Sequence, residues 1–224
     1  MEIIKRIPII LNPEVIFQRL FPTPRERKFQ EFLNILRVAE SLIDARAAYK
    51  VVSINCISDD IIGIDNVLFR SKILKINLVH SSKVFPYILT IGGKLEEQAK
   101  SYDLLERFFL ETAGDIALQE AAKYLENFLK KRYEIHQLSC MNPGSLEDWP
   151  LTQQKQLFTL FRDIEKILGV KLTEQCYMIP RKSVSGVFFP TESKFYSCQI
   201  CPRKRCDSRK SNYSPGLVKK YQRF

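Results

Sequence analysis

The sequence predicts an α+β fold with antiparallel strands, and three observations lead there. Helical and strand-like stretches follow the order helix, strands, helices, strands, which segregates the two types instead of alternating them. The strand-like runs between residues 51 and 91 leave no room for crossover helices, so antiparallel pairing is favoured. The third observation is local: Cys198, Cys201 and Cys206 crowd into nine residues near the C-terminus and predict a metal- or cluster-binding segment attached to that fold.

Taken in order, residues 1–22 mix Ile, Leu and Pro without a clear period and open with a short strand. Thr23-Pro24-Arg25-Glu26 reads as a capping box with proline at the first helical position. Phe29, Phe32, Leu33, Leu36 and Ile43 then recur at helical spacing, predicting a helix to about Tyr49. Val52, Ile54 and Cys56 alternate with polar neighbours, as do Leu74, Ile76 and Leu78, so both stretches read as strands. Val84 to Ile91 is apolar enough to be a central strand. A long helical region follows from about Leu95 to Tyr133, in which Gly114 marks a break or a close contact. The chain turns over 139–150, and a helix beginning near Thr152 buries Leu157, Phe161, Ile164 and Leu168 before Gly169 ends it. Strand-like segments return at Cys176 to Ile179, Val184 to Phe189 and Phe195 to Ile200. The last stretch, rich in Ser, Lys and Arg, is expected to be loosely ordered.

With 224 residues, 45% of them hydrophobic, the chain can close a sizeable core as one domain or as one domain with an appendage. We divide it at residues 1–200 and 201–224. The net charge of +10 is uneven: the segment from Cys201 to Phe224 carries eight basic residues and one acid, leaving only about +3 for everything before it. The body is therefore not a nucleic-acid surface by charge. No segment approaches the ~18 uncharged apolar residues of a membrane span, so a cytoplasmic protein without a membrane partner is expected. In that compartment thiols stay reduced, and ligation is a better reading of the clustered cysteines than disulfides.

The motifs Asn142-Pro143-Gly144, Asp148-Trp149-Pro150-Leu151, Leu172-Thr173-Glu174, Met178-Ile179-Pro180 and Lys182-Ser183-Val184-Ser185-Gly186 resemble the activation domain of vitamin B12-dependent methionine synthase, especially its stand-alone relatives. The similarity extends to Leu89-Thr90-Ile91-Gly92, Leu95-Glu96 and Ser193-Lys194-Phe195-Tyr196. It implies a twisted antiparallel sheet with surrounding helices. It also implies an accessory role in corrinoid metabolism: binding S-adenosylmethionine and supporting the reductive remethylation of cob(II)alamin held by a corrinoid-binding partner or methionine synthase. Pro143, Gly144, Ser145 and Tyr196 would line the cofactor groove. One departure matters. Where the family has an arginine, three residues, glycine and tyrosine, this sequence has Cys140 and Ser145 at the arginine and tyrosine positions. A neutral thiol cannot form the bidentate pair that a guanidinium makes with a carboxylate.

Cys198-x2-Cys201-x4-Cys206 places two thiols across a tight turn and a third one loop later, so all three can meet at one centre. Zinc and iron–sulfur clusters both take such ligands and both want a fourth, for which Cys140 is the candidate. The sequence leaves open a structural zinc and a cluster able to pass an electron to cobalt. Arg181 or Lys182 could replace the missing arginine's charge. Trp149 reads equally as a core anchor or as a stacking surface, and Cys56 and Cys176 read as small core residues. No catalytic residue is assigned. Two other function classes compete. One is a zinc-stabilised module whose basic tail contacts nucleic acid or an acidic protein surface, disfavoured by the few aromatic residues in that tail. The other is a degenerate activation domain whose groove serves protein contact alone.

Overall fold

The computed structural model describes all residues except 21–25, 57, 59, 207–208 and 223–224. The capping box expected at Thr23–Arg25 lies outside the described residues. Strand β1 (Glu2–Ile4) leads to helices α1 (Pro13–Leu20) and α2 (Glu26–Leu42), then to β2 (Arg46–Tyr49). Three short strands, β3 (Ile54–Cys56), β4 (Ile61–Ile64) and β5 (Val67–Arg70), precede α3 (Lys72–Leu78) and strand β6 (Phe85–Thr90). Helices α4 (Lys94–Gln98) and α5 (Leu104–Arg132) follow, then β7 (Leu138–Met141), α6 (Gln154–Thr159) and α7 (Ile164–Leu168). The chain ends through β8 (Lys171–Leu172), β9 (Met178–Ile179), β10 (Ser183–Pro190) and α8 (Pro215–Gln222).

The main sheet has the order β1-β2-β6-β10-β7 and is antiparallel throughout. Its two faces explain why β6 is buried at every position. Phe85, Tyr87 and Leu89 enter one core, with Phe188 of β10 and the inner faces of α2 and α5; Ile88, Val187 and Phe189 enter a second core, with Trp149, α3, α6 and α7. Side chains alternate across a strand, so a strand covered on both faces reads as a continuous apolar run.

Several expectations need correction. Helix α2 stops at Leu42, because Ala45, Ala47 and Ala48, good helix formers in isolation, give a closely packed strand edge between β1 and β6 instead. Residues 72–78 are helical: Leu74 and Leu78 sit four apart on one buried face, and the Ser71 hydroxyl caps the Leu74 N–H at 2.9 Å. Residues 195–200 hold a 3-10 turn at Ser197–Gln199, not a strand. Cys176 is buried but lies in a turn with φ of 67°, ahead of the short β9. Gly114 does not break α5; a Cβ there would stand 3.3 Å from both Leu95 Cδ2 and Lys182 Cε, so it serves close packing. The C-terminal stretch is docked: Leu217 and Tyr221 pack on the second core, and the Tyr221 hydroxyl bonds Asn77 at 2.9 Å. Among the described residues no helix is long and apolar enough to cross a membrane.

Candidate functional site

One large cavity, of about 800 Å³, opens beside β7, the last strand of the sheet. Its floor is made by Tyr87, Val184, Phe188 and Cys140, side chains of β6, β10 and β7. The α5 stretch from Gln119 to Asn127 forms one wall, and Lys194 to Cys198 with Cys201, Arg203, Cys206 and Lys210 forms the other.

Register places the floor. Phe188 pairs with Cys140, and Tyr87 with Gly186. Gly186 leaves a gap that Asn142 fills: its Nδ2 donates to the Ser185 carbonyl at 2.7 Å and to the Tyr87 hydroxyl at 2.9 Å. The Tyr87 hydroxyl also lies 3.4 Å from Cys140 Sγ, and the Tyr87 and Phe188 rings stack at 4.6 Å. Desolvation in this wall pushes the Cys140 thiol up to about 11, against the opposing pull of the Tyr87 hydroxyl and the Lys210 ammonium.

Next along the chain, the turn at 142–149 is closed by its own backbone. Gly144, at φ of 82°, donates to the Trp149 carbonyl at 2.8 Å, and the Ser145 N–H donates to the Asn142 carbonyl at 3.1 Å. Those two amides are therefore spent within the turn, and what it offers the cavity is glycine surface and the Ser145 side chain. Pro143 is buried beneath the turn and does not belong to the cavity wall. Asp148 does a different job. Its carboxylate accepts from the Ser71 hydroxyl and, at 2.9 Å, from the Ile73 N–H, tying the turn to the start of α3. Trp149 is fully buried against Phe69, with ring centroids 6.1 Å apart, so it is a core anchor.

The opposite wall is positioned by ion pairs with α5. Glu126 accepts from Lys194 and, at 2.9 Å, from Lys130. Burial alone would raise the Glu126 carboxyl, but these two ammonium groups outweigh it and hold it below the usual range. Lys194 also lies 5.5 Å from the Tyr196 ring centroid, and the Phe195 N–H bonds Ser139 Oγ at 2.7 Å. Tyr196 thereby faces the cavity alongside Gly144 and Ser145. Arg181 and Lys182 do not supply the missing cation here. Lys182 is bound to Asp115 at 2.5 Å and to Glu111 at 2.8 Å, and Arg181 to Glu111 at 2.8 Å, one turn or more up α5.

Cys140, Cys198, Cys201 and Cys206 all line the cavity. They are free thiols and do not converge: among the described residues no three His, Cys, Asp or Glu side chains are grouped as the ligands of one ion. A physical reason is visible. Cys140 packs toward the first core and Cys201 toward the second, so the two flank the edge of the sheet. The sequence reading missed Asn142, Glu126 and Lys194, though the Asn-Pro-Gly turn was the available signal for the first.

Comparison with known proteins bears on this region. Residues 119–211 match the family described as vitamin B12 dependent methionine synthase, activation domain, so the resemblance carried by the motifs of 142–186 holds over that stretch. Among solved structures the chain is similar to one titled as the crystal structure of the MetH reactivation domain bound to AdoHcy, with a TM-score of 0.59 and 18% identity, over 80% of this chain and 71% of that one. The α+β architecture is thus shared with that domain. No curated protein matches the chain.

Proposed function

We propose that this chain supports the reductive reactivation of a corrinoid protein and receives S-adenosylmethionine in the cavity beside β7. One observation carries the reading. Every residue lining that cavity except Tyr87 falls within 119–211, the stretch that matches the activation-domain family. The volume of about 800 Å³ suits a molecule of this size, since small-molecule sites span roughly 300–1,000 Å³. The solved domain with the same fold is titled as bound to AdoHcy, the demethylated form of that cofactor.

When bound, S-adenosylmethionine supplies an electrophilic methyl group, and the partner's corrinoid supplies the cobalt that accepts it after gaining one electron from an external donor. The chain's own residues bind and orient. Tyr196, held over its wall by Lys194, offers an aromatic face, and the Gly144–Ser145 turn allows close approach. Cys140, Cys198, Cys201 and Cys206 are the donors we propose for a zinc or iron–sulfur centre. Four thiols on one cavity suit either group chemically, but their placement would require the 198–206 loop to close on Cys140, and no electron step is assigned to them.

The test has two parts. Calorimetry should show saturable binding of AdoHcy, and added chain should raise the rate at which a cob(II)alamin-loaded methionine synthase or other corrinoid protein is remethylated by S-adenosylmethionine under a low-potential reductant. Absence of both effects would overturn the reading.

A further inference from the structure

We propose that Lys210, carried to the cavity by the C-terminal segment, is the cation that recognises the carboxylate of the cavity's ligand. The proposal rests on the reading of this cavity as an S-adenosylmethionine site, and it names the contact that would replace the absent arginine.

The charge inventory of the cavity leads to it. Two carboxylates, Glu120 and Glu126, and four cations, Lys123, Lys194, Arg203 and Lys210, line the walls. Glu126 is shared by Lys194 and Lys130, and Glu120 lies 3.7 Å from Lys123. Arg203 and Lys210 have no carboxylate within ion-pair distance among the described residues. Among the described residues the unbalanced charge on the wall is therefore positive, and the ligand group that suits it is an anion. AdoHcy and S-adenosylmethionine each carry one carboxylate.

The segment that bears Lys210 is held in place. The Arg209 guanidinium donates to the carbonyls of Cys198 at 3.0 Å, Ser211 at 3.4 Å and Arg203, bracing the loop against the wall. The Lys210 N–H meets Cys198 Sγ at 3.4 Å, and the Ser214 N–H donates to the Gln199 carbonyl at 2.7 Å. Farther on, the Tyr221 ring packs on Phe195 with centroids 5.8 Å apart. Lys210 is consequently held on the cavity wall beside Cys198. Arg203 shares the cavity without this backbone contact to Cys198, and serves as the comparison.

Calorimetry on the full chain tests the assignment with two probes, AdoHcy and its decarboxylated analogue. Lys210 is exposed, so Lys210→Ala is expected to fold, which circular dichroism checks. The expected result is a loss of about tenfold in AdoHcy affinity for Lys210→Ala, the scale of one charge-assisted contact. Affinity for the decarboxylated analogue should not change, and Lys210→Arg should restore AdoHcy binding. Equal losses for both probes, no loss for either, or a loss that follows Arg203→Ala instead would overturn the proposal, as would a change in metal content with unchanged AdoHcy affinity. A wild-type chain that binds the two probes equally refutes the role of Lys210 alone. One that binds neither refutes the underlying reading of the cavity and the proposal with it.

Discussion

Replacing Gly186 by alanine should disable the site and the fold around it together. The added Cβ would stand 2.5 Å from the Met141 carbonyl oxygen and closer still to Asn142 Nδ2. The Met141 carbonyl is backbone of a paired strand and cannot swing away, and the Asn142 side chain can do so only by giving up its hydrogen bonds. Forced overpacking of this kind costs roughly 1–3 kcal/mol. Displacing Asn142 also breaks its bonds to the Ser185 carbonyl and the Tyr87 hydroxyl, at about 1 kcal/mol each. The sum, roughly 3–5 kcal/mol, corresponds to a fall in Tm of roughly 6–20 °C for a chain of this size. Thermal unfolding followed by circular dichroism reads it directly. Asn142→Ala removes the same two bonds and one of the two clashes, so the double variant should be less destabilised than the single effects added together. A Gly186→Ala protein melting within about 2 °C of wild type, or strictly additive effects, would refute the packing argument.

Other perturbations have equally definite outcomes. Cys140, pushed up to about 11, should carry roughly one thiolate in a thousand at pH 8, so its alkylation rate, followed by peptide mass spectrometry, should rise about tenfold per pH unit toward 11; a plateau below about pH 9 would contradict this. Glu111 and Glu126 feel burial that would raise them, but their ammonium and guanidinium partners outweigh it and both stand below the ordinary carboxyl value. A depressed folded value means the stabilisation is present above the ordinary value and disappears as pH falls through the folded one. Glu111→Gln and Glu126→Gln should therefore be less stable at neutral pH and should flatten the acid limb of a stability-against-pH curve, and an unchanged acid limb would count against those pairings. Protein purified without oxygen should contain metal that is lost in Cys198→Ser and Cys201→Ser. Iron with acid-labile sulfide would favour an electron-transfer centre and zinc a structural one, and a metal-free wild type would dismiss both.

The parts of the fold legible in the sequence were those in which one signal dominated. The apolar run at 84–91 reads as a central strand, and it holds the middle of the sheet as β6. Residues 72–78 misled because Leu74, Ile76 and Leu78 satisfy a period of two while Leu74 and Leu78 also satisfy a helical one; only the cap at Ser71 distinguishes them. Two readable signals went unused: Asp65-Asn66, which turns the β4–β5 hairpin with Asp65 at φ of 56°, and Asp103-x-x-Glu106, the capping box that starts α5. Cys198, Cys201 and Cys206 were legible as neighbours of one another, and Cys140 as a neighbour of the Asn142–Ser145 turn, since each of these spacings is local. What was not legible is pairing across distance. Lys194 and Glu126 are 68 residues apart, and the gap at Gly186 has meaning only beside Asn142.

The wall that carries Lys210 belongs to the segment that follows β10, and this ties ligand binding to the docking of that segment. In the mature protein, any molecule that bears on Lys210 must also favour the attached position of the terminal segment, by thermodynamic reciprocity. Resistance of the segment after Gln199 to limited proteolysis then becomes a gauge of occupancy: with Ser214 docked on Gln199 and Tyr221 on Asn77, it should be cut more slowly when the cavity is filled.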